Sequence, residues 1–128
     1  MYNLVSSSRD LDVAGTGRNS LEDLCKCFLG LNDLQYRLFT IILEYPGKTC
    51  KELSELAGQT RTPVQRAVKK LHDMEMVTRD QVSRGDPPGF YFTYSPLEPE
   101  ELREHLLHLV NLARDEMVRI IDDRFPQG

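Results

Sequence analysis

The stretch Thr49–Arg84, TCKELSELAGQTRTPVQRAVKKLHDMEMVTRDQVSR, decides how the chain is read. Lys51 to Ala57 has the spacing of a short helix, with Leu53, Leu56 and Ala57 on one face. Thr49 is suited to cap it, because a threonine hydroxyl accepts one of the backbone N–H groups left over at a helix start. Gly58 supplies the left-handed residue that ends it. Only Gln59 to Arg61 separate it from a second helix, Thr62 to Met74, and so short a connection fixes a sharp crossing. Thr62-Pro63-Val64-Gln65 reads as a capping box with proline at the first helical position; Thr60 is the alternative cap.

Val64, Ala67, Val68, Leu71 and Met74 form the apolar stripe of the second helix. Thr62, Arg66 and Lys69 point the opposite way, flanked by Arg61, Gln65 and Lys70. That outward face holds no carboxylate before Asp73. Arginine and glutamine can read guanine and adenine edges bidentately, and lysine and threonine serve phosphates. Met76 to Val82 and the alternating Phe90 to Tyr94 then read as two strands, with Phe90, Phe92 and Tyr94 on one side. Between them, residues 83–89 are rich in turn formers and carry Arg84, placed for a groove or a phosphate, with Asp86 diluting its charge. Helix, turn, helix and basic hairpin together predict a winged helix-turn-helix. Thr60, Arg61, Thr62, Gln65, Arg66, Lys69, Lys70 and Arg84 are its candidate DNA contacts. The plain alternative is a solvated helix face that happens to be basic.

The whole chain has 128 residues, enough for one domain with a real core, and a formal charge of −4. The charge is uneven: residues 1–47 sum to −2, residues 48–86 to +2 and residues 87–128 to −4. The only net-positive segment is the proposed DNA module, where a polyanion would sit. No apolar run approaches the roughly 20 residues that span a bilayer, and nothing resembles a secretory signal, so a cytoplasmic protein without membrane contact is expected. Residues 1–20 are polar and read as an N-terminal arm; their glycine pair is no phosphate loop. Ser20 caps a helix with Leu21, Leu24, Cys25 and Phe28 on its apolar side, ended by Gly30. Asn32 or Asp33 caps the next helix, in which Leu34, Leu38, Phe39, Ile41, Ile42 and Tyr45 are expected to be largely buried, and Pro46-Gly47 stops it.

These segments carry a resemblance. Leu29-Gly30-Leu31-Asn32, Tyr36-Arg37-Leu38-Phe39, the run Thr49 to Gly58, Arg61 to Leu71, Met76-Val77-Thr78-Arg79 and Pro96-Leu97-Glu98-Pro99-Glu100-Glu101-Leu102 are similar to the start of TrmB-like archaeal regulators. MarR-like and ArsR-like regulators share the pattern. The resemblance covers roughly residues 28–104 and implies a DNA-binding transcriptional regulator of mainly α (α+β) winged-helix fold, with no cofactor. Glu75 stands where such regulators usually have glycine, and a left-handed backbone there would cost about 1 kcal/mol. No counterpart of the sugar-binding domain of full-length TrmB proteins is expected after the long helix. The resemblance therefore implies a short form, and its effector class is not carried over; any small-molecule effector stays unknown.

From Pro99 to about Arg124 the chain reads as one helix, with Glu98, Glu100 and Glu101 suiting its positive N-terminal end. Leu102, Leu106, Leu109, Val110, Ala113, Met117, Ile120 and Ile121 form a continuous stripe, and Leu107, Leu112 and Val118 widen it. A helix of about 35–40 Å, apolar over so much of its girth, asks for two neighbours. The expected ones are its own first support helix and the same helix of a second copy. The division is then an arm over 1–20, a DNA-binding domain over 21–96 and a dimerisation helix over 97–128. Two recognition helices related by a two-fold axis could occupy major-groove faces about 34 Å apart on a palindrome.

Other chemistries find less support. No nucleophile–base motif, metal framework or phosphate loop appears, so no enzyme is expected. Cys25, Cys27 and Cys50 allow a thiol-based redox or metal-sensing regulator, since a helix N-terminus can favour thiolate. Against it, Cys25 and Cys27 would point about 200° apart on a helix. His72, His105 and His108 form no ligand cluster by spacing, although the last two could share a face. A winged-helix adaptor in a transcription assembly is the remaining alternative; apolar or acidic residues would be expected on the second helix in that case.

Overall fold

Ser20 does begin the first helix: its Oγ accepts from the Asp23 N–H at 3.2 Å. The computed structural model describes residues 20–128, so the expected arm, Ser20 apart, lies outside the described residues. The segment predicted to be one regular helix divides into α1 (Leu21–Asp23) and a π-helical turn over Leu24–Phe28. Gly30, at φ 74°, turns the chain out of it. α2 (Asp33–Glu44) opens on a full capping box: Gln35 N–H donates to Asn32 Oδ1 at 2.8 Å, and Asn32 N–H to Gln35 Oε1 at 2.9 Å. Leu38, Phe39 and Ile42 of α2 are buried, whereas Tyr45, expected inside, caps the helix end and is exposed.

α3 (Cys50–Ala57) and α4 (Arg61–Asp73) form the helix-turn-helix. Thr49 and Glu52 make a second reciprocal box, and Gly58 closes α3 at φ 66°. Leu53, Ser54 and Ala57 are its buried face, and Leu56 is exposed, against expectation. The buried arc is centred between Leu53 and Ser54, which puts Leu56 past its edge. Ser54 tolerates burial because its hydroxyl donates to the Lys51 carbonyl at 2.7 Å. α4 starts at Arg61 with Thr60 as its cap, so the Thr62 box is not used. Pro63 falls at the third helical position, where its missing N–H has no intrahelical acceptor to lose. Val64, Ala67, Val68 and Leu71 are buried as predicted, and Met74 partly so.

After α4 the chain reverses through Glu75, a non-glycine residue at φ 58°. Glu75 N–H donates to His72 O at 2.9 Å and Met76 N–H to Leu71 O at 3.0 Å, which uses two carbonyls at the helix end. β1 (Val77–Ser83) and β2 (Phe90–Pro96) pair antiparallel, with Val77 opposite Pro96 and Ser83 opposite Phe90. The loop is closed by Arg84 N–H to Gly89 O at 2.9 Å. The other edge of β2 is engaged too: Gly47 N–H donates to Tyr94 O, and Tyr94 N–H to Lys48 O, at 2.8 and 2.9 Å.

α5 (Pro99–Arg124) carries proline in its first turn. The core that joins all these elements includes Leu38, Phe39, Ile42, Leu53, Val64, Val68, Leu71, Met76, Val77, Tyr94 and Leu102. Each large aliphatic side chain buried there stabilises the fold by about 1.5–3 kcal/mol. Leu102 is thus in its own domain's core rather than on an outer face, and Leu106 and Leu109 pack beside it. Beyond them the helix leaves the domain. Leu107, Leu112, Met117, Val118, Ile120, Ile121 and Phe125 are exposed, the last three by 55%, 56% and 73%. No described helix is long and apolar enough to cross a membrane.

Candidate nucleic-acid interface

The start of α3, one flank of α4 and the hairpin enclose a concave groove of about 1000 Å³. Arg61, Gln65, Lys69 and Arg84 line it, so four of the eight residues chosen from sequence come together there. Thr60, Thr62, Arg66 and Lys70 are exposed but lie outside the groove. They occupy the crest and far flank of α4, because Val64, Ala67, Val68 and Leu71 pin the opposite side into the core. A convex basic crest beside a concave basic flank is complementary in shape and charge to a duplex groove and its neighbouring phosphate backbone.

The charges differ in how free they are. Lys69 Nζ meets Asp73 Oδ2 at 2.7 Å, with both side chains exposed. The Lys69 ammonium holds the Asp73 carboxyl below the usual carboxylate range. Among the described residues no carboxylate pairs with Arg61, Arg66, Lys70 or Arg84. Lys51 and Arg79 also line the groove, and the sequence reading assigned neither to it. The Arg79 guanidinium carbon lies 4.1 Å from the centroid of the Phe92 ring, and Phe90 meets Phe92 edge-on at 5.4 Å. The signal for Arg79 was cross-strand: it faces Tyr94 and lies diagonal to Phe92, which only the pairing register reveals.

The cysteines are dispersed. Cys25 is buried, and burial pushes its thiol up to about 12; Cys27 is exposed. Cys50, at the start of α3, is half-buried, and burial outweighs its other surroundings, so its thiol is also raised. Both shifts favour the protonated thiol over the thiolate. Among the described residues no three His, Cys, Asp or Glu side chains are grouped to hold a metal. His105 does share a face with His108, their ring centroids 6.1 Å apart, and His105 Nε2 meets the Met74 carbonyl at 2.6 Å. That contact ties α5 to the end of α4 and borders a second cleft, lined by Glu100, Glu101 and Glu104.

Comparison with known proteins gives a family and a fold. The family model for the sugar-specific transcriptional regulator TrmB matches residues 26–100. The uncharacterized protein MJ1082 of Methanocaldococcus jannaschii is 26% identical over 92 residues, 72% of this chain and 75% of that protein. A possible transcriptional regulator from Methanosarcina mazei Go1 superposes with a TM-score of 0.70 at 24% identity, covering 94% of this chain and all of that one. The ST1889 protein from Sulfolobus tokodaii superposes with a TM-score of 0.58 at 23% identity, covering 77% of this chain and 93% of that chain. The likeness to these two structures is a likeness of fold.

Proposed function

The chain belongs to the TrmB family of winged-helix transcriptional regulators, and from that premise we propose that it binds double-stranded DNA in a sequence-specific way as a homodimer. The observation that carries the reading is the basic surface of α4 and the hairpin: Arg61, Gln65 and Arg84 on the groove side, Arg66 and Lys70 on the crest side. The crest enters a major groove and reads base edges through Arg66; Arg84, at the hairpin tip, meets the flanking groove or backbone.

Residues 21–96 are then the DNA-binding domain and residues 97–128 the dimerisation helix. The exposed Met117, Ile120 and Ile121 support that division, since so much apolar surface on one free helix is unusual for a monomer. Val110 and Ala113, half-buried, extend the same stripe, whereas Leu102, Leu106 and Leu109 are already engaged within the domain. A two-fold pair presents two copies of α4 to a palindromic operator.

The test is binding to the DNA upstream of the protein's own coding region, beside random DNA, at several salt concentrations. Wild type is expected to prefer the upstream fragment, and Arg66→Ala to lose that preference by about 1–3 kcal/mol at one base position. Equal binding to both DNAs, unchanged in Arg66→Ala, would overturn the reading and direct attention to a protein partner.

A further inference from the structure

Arg79 is held against an aromatic face of β2. Its guanidinium lies on the Phe92 ring, Phe90 braces that ring edge-on, and Tyr94 is its cross-strand partner. Among the described residues no carboxylate reaches ion-pair distance of it. It borders two cavities. One is the groove shared with Arg61, Lys69 and Arg84; the other is the cleft lined by Glu100, Glu101 and Glu104. The stack on Phe92 therefore fixes where the guanidinium stands on the wall of a groove that Glu52 and Asp73 also line.

Stacking a guanidinium by its face leaves its N–H edges available, in a plane fixed in advance. An arginine so held has already given up much of the side-chain freedom that binding normally costs. Its place also selects its target. Arg79 shares the groove with flank residues of α4, not with Arg66 on the crest. A duplex seated on the crest passes its backbone along that flank, so phosphate oxygens come within reach of Arg79 and base edges do not.

We propose that Arg79 is a preorganised clamp for a backbone phosphate of duplex DNA, with Phe92 as the residue that positions it. The inference rests on the DNA-binding reading above. It adds a sequence-independent contact at the base of the hairpin to the specific ones on α4.

The experiment follows fluorescence anisotropy of a labelled random-sequence duplex over a series of salt concentrations. It compares wild type, Arg79→Gln, Arg79→Lys and Arg37→Gln, the last an exposed arginine of α2 that matches the charge change. Arg79→Gln is expected to weaken binding about tenfold per subunit at low salt and to lower the slope of log affinity against log salt by about one per subunit. Arg79→Lys is expected to restore the slope but to stay severalfold weaker, because an ammonium lacks the planar fork. Thermal melting is expected to be unchanged in all variants. If wild type binds and Arg79→Gln behaves like Arg37→Gln, the clamp is refuted and the DNA-binding reading stands. If Arg79→Lys matches wild type in both slope and affinity, the positioning by Phe92 is refuted. If wild type shows no salt-dependent binding, the clamp and the DNA-binding reading fall together.

Discussion

Replacing Glu75 by glycine is expected to stabilise this protein. Glu75 links α4 to β1 at φ 58°, a conformation in which an L side chain crowds the following carbonyl at a cost of about 1–2 kcal/mol. Its own side chain is exposed and forms no ion pair among the described residues, so truncation removes no partner. Glycine adds unfolded-state freedom worth about 0.5–1 kcal/mol against folding. The balance is a gain of about 0–1.5 kcal/mol, and its midpoint corresponds to a rise in Tm of roughly 2–5 °C for a chain of this size. The assay is urea and thermal unfolding by circular dichroism at one fixed protein concentration, because association shifts apparent stability. Glu75→Ala is the control: it removes the same carboxylate but keeps a Cβ at positive φ, and is expected to melt near wild type. A Glu75→Gly protein that melts at or below Glu75→Ala would refute the reasoning, since the strain would then not reside in the backbone.

Ile121→Asp, on the exposed part of α5, is expected to convert a dimer to a monomer in sedimentation velocity with its helical signal retained; an unchanged sedimentation coefficient would place the dimer interface elsewhere. Of the described cysteines, Cys27 is expected to react with a thiol-specific reagent at mildly alkaline pH within minutes and Cys25 only on unfolding, as peptide mapping would show; early labelling of Cys25 would contradict its burial. Lys26 lies 2.7 Å from Asp33, and its hydrogen bond and charge hold the Asp33 carboxyl below its ordinary 3.8. A depressed folded-state value means that this stabilisation is complete above the unfolded value and fades as pH falls through the folded one. The Tm difference between wild type and Asp33→Asn is therefore expected to be constant at neutral pH and to close only in strong acid; closure near pH 6 would rule the pair out as its source.

Local rules carried the reading a long way where one residue had one role. Thr49 and Gly58 bracket α3 as short-range chemistry requires. The left-handed backbone at Glu75 entered only as a condition, from the glycine that the resembling regulators carry there. The reading failed where two residues competed or where distance mattered. Thr60 and Thr62 both make acceptable caps, and nothing within a few residues ranks them. Leu102 looks identical to Ile120 on a helical wheel. Only the bulk of the domain beside the first turns of α5, and its absence beside the last, separates a core residue from an exposed one. In the interface, Arg61, Gln65, Lys69 and Arg84 could be named from helix faces and a turn, but Arg79 could not. Its surroundings are built by a strand that lies over ten residues away in sequence.

The pairing of Lys48 with Tyr94 reaches beyond the sheet it extends. A lone two-stranded ribbon is marginally stable and free to sway. Here the inner half of the hairpin is fastened to the connection between α2 and α3 by two main-chain hydrogen bonds. No side-chain replacement on α4 or along the ribbon deletes those bonds. The angle between helix and ribbon is thereby insulated from the residues proposed to choose a DNA sequence. A lineage could rewrite Gln65, Arg66 and Lys69 for a new operator and inherit the same docking frame, so specificity can diverge while architecture stays put.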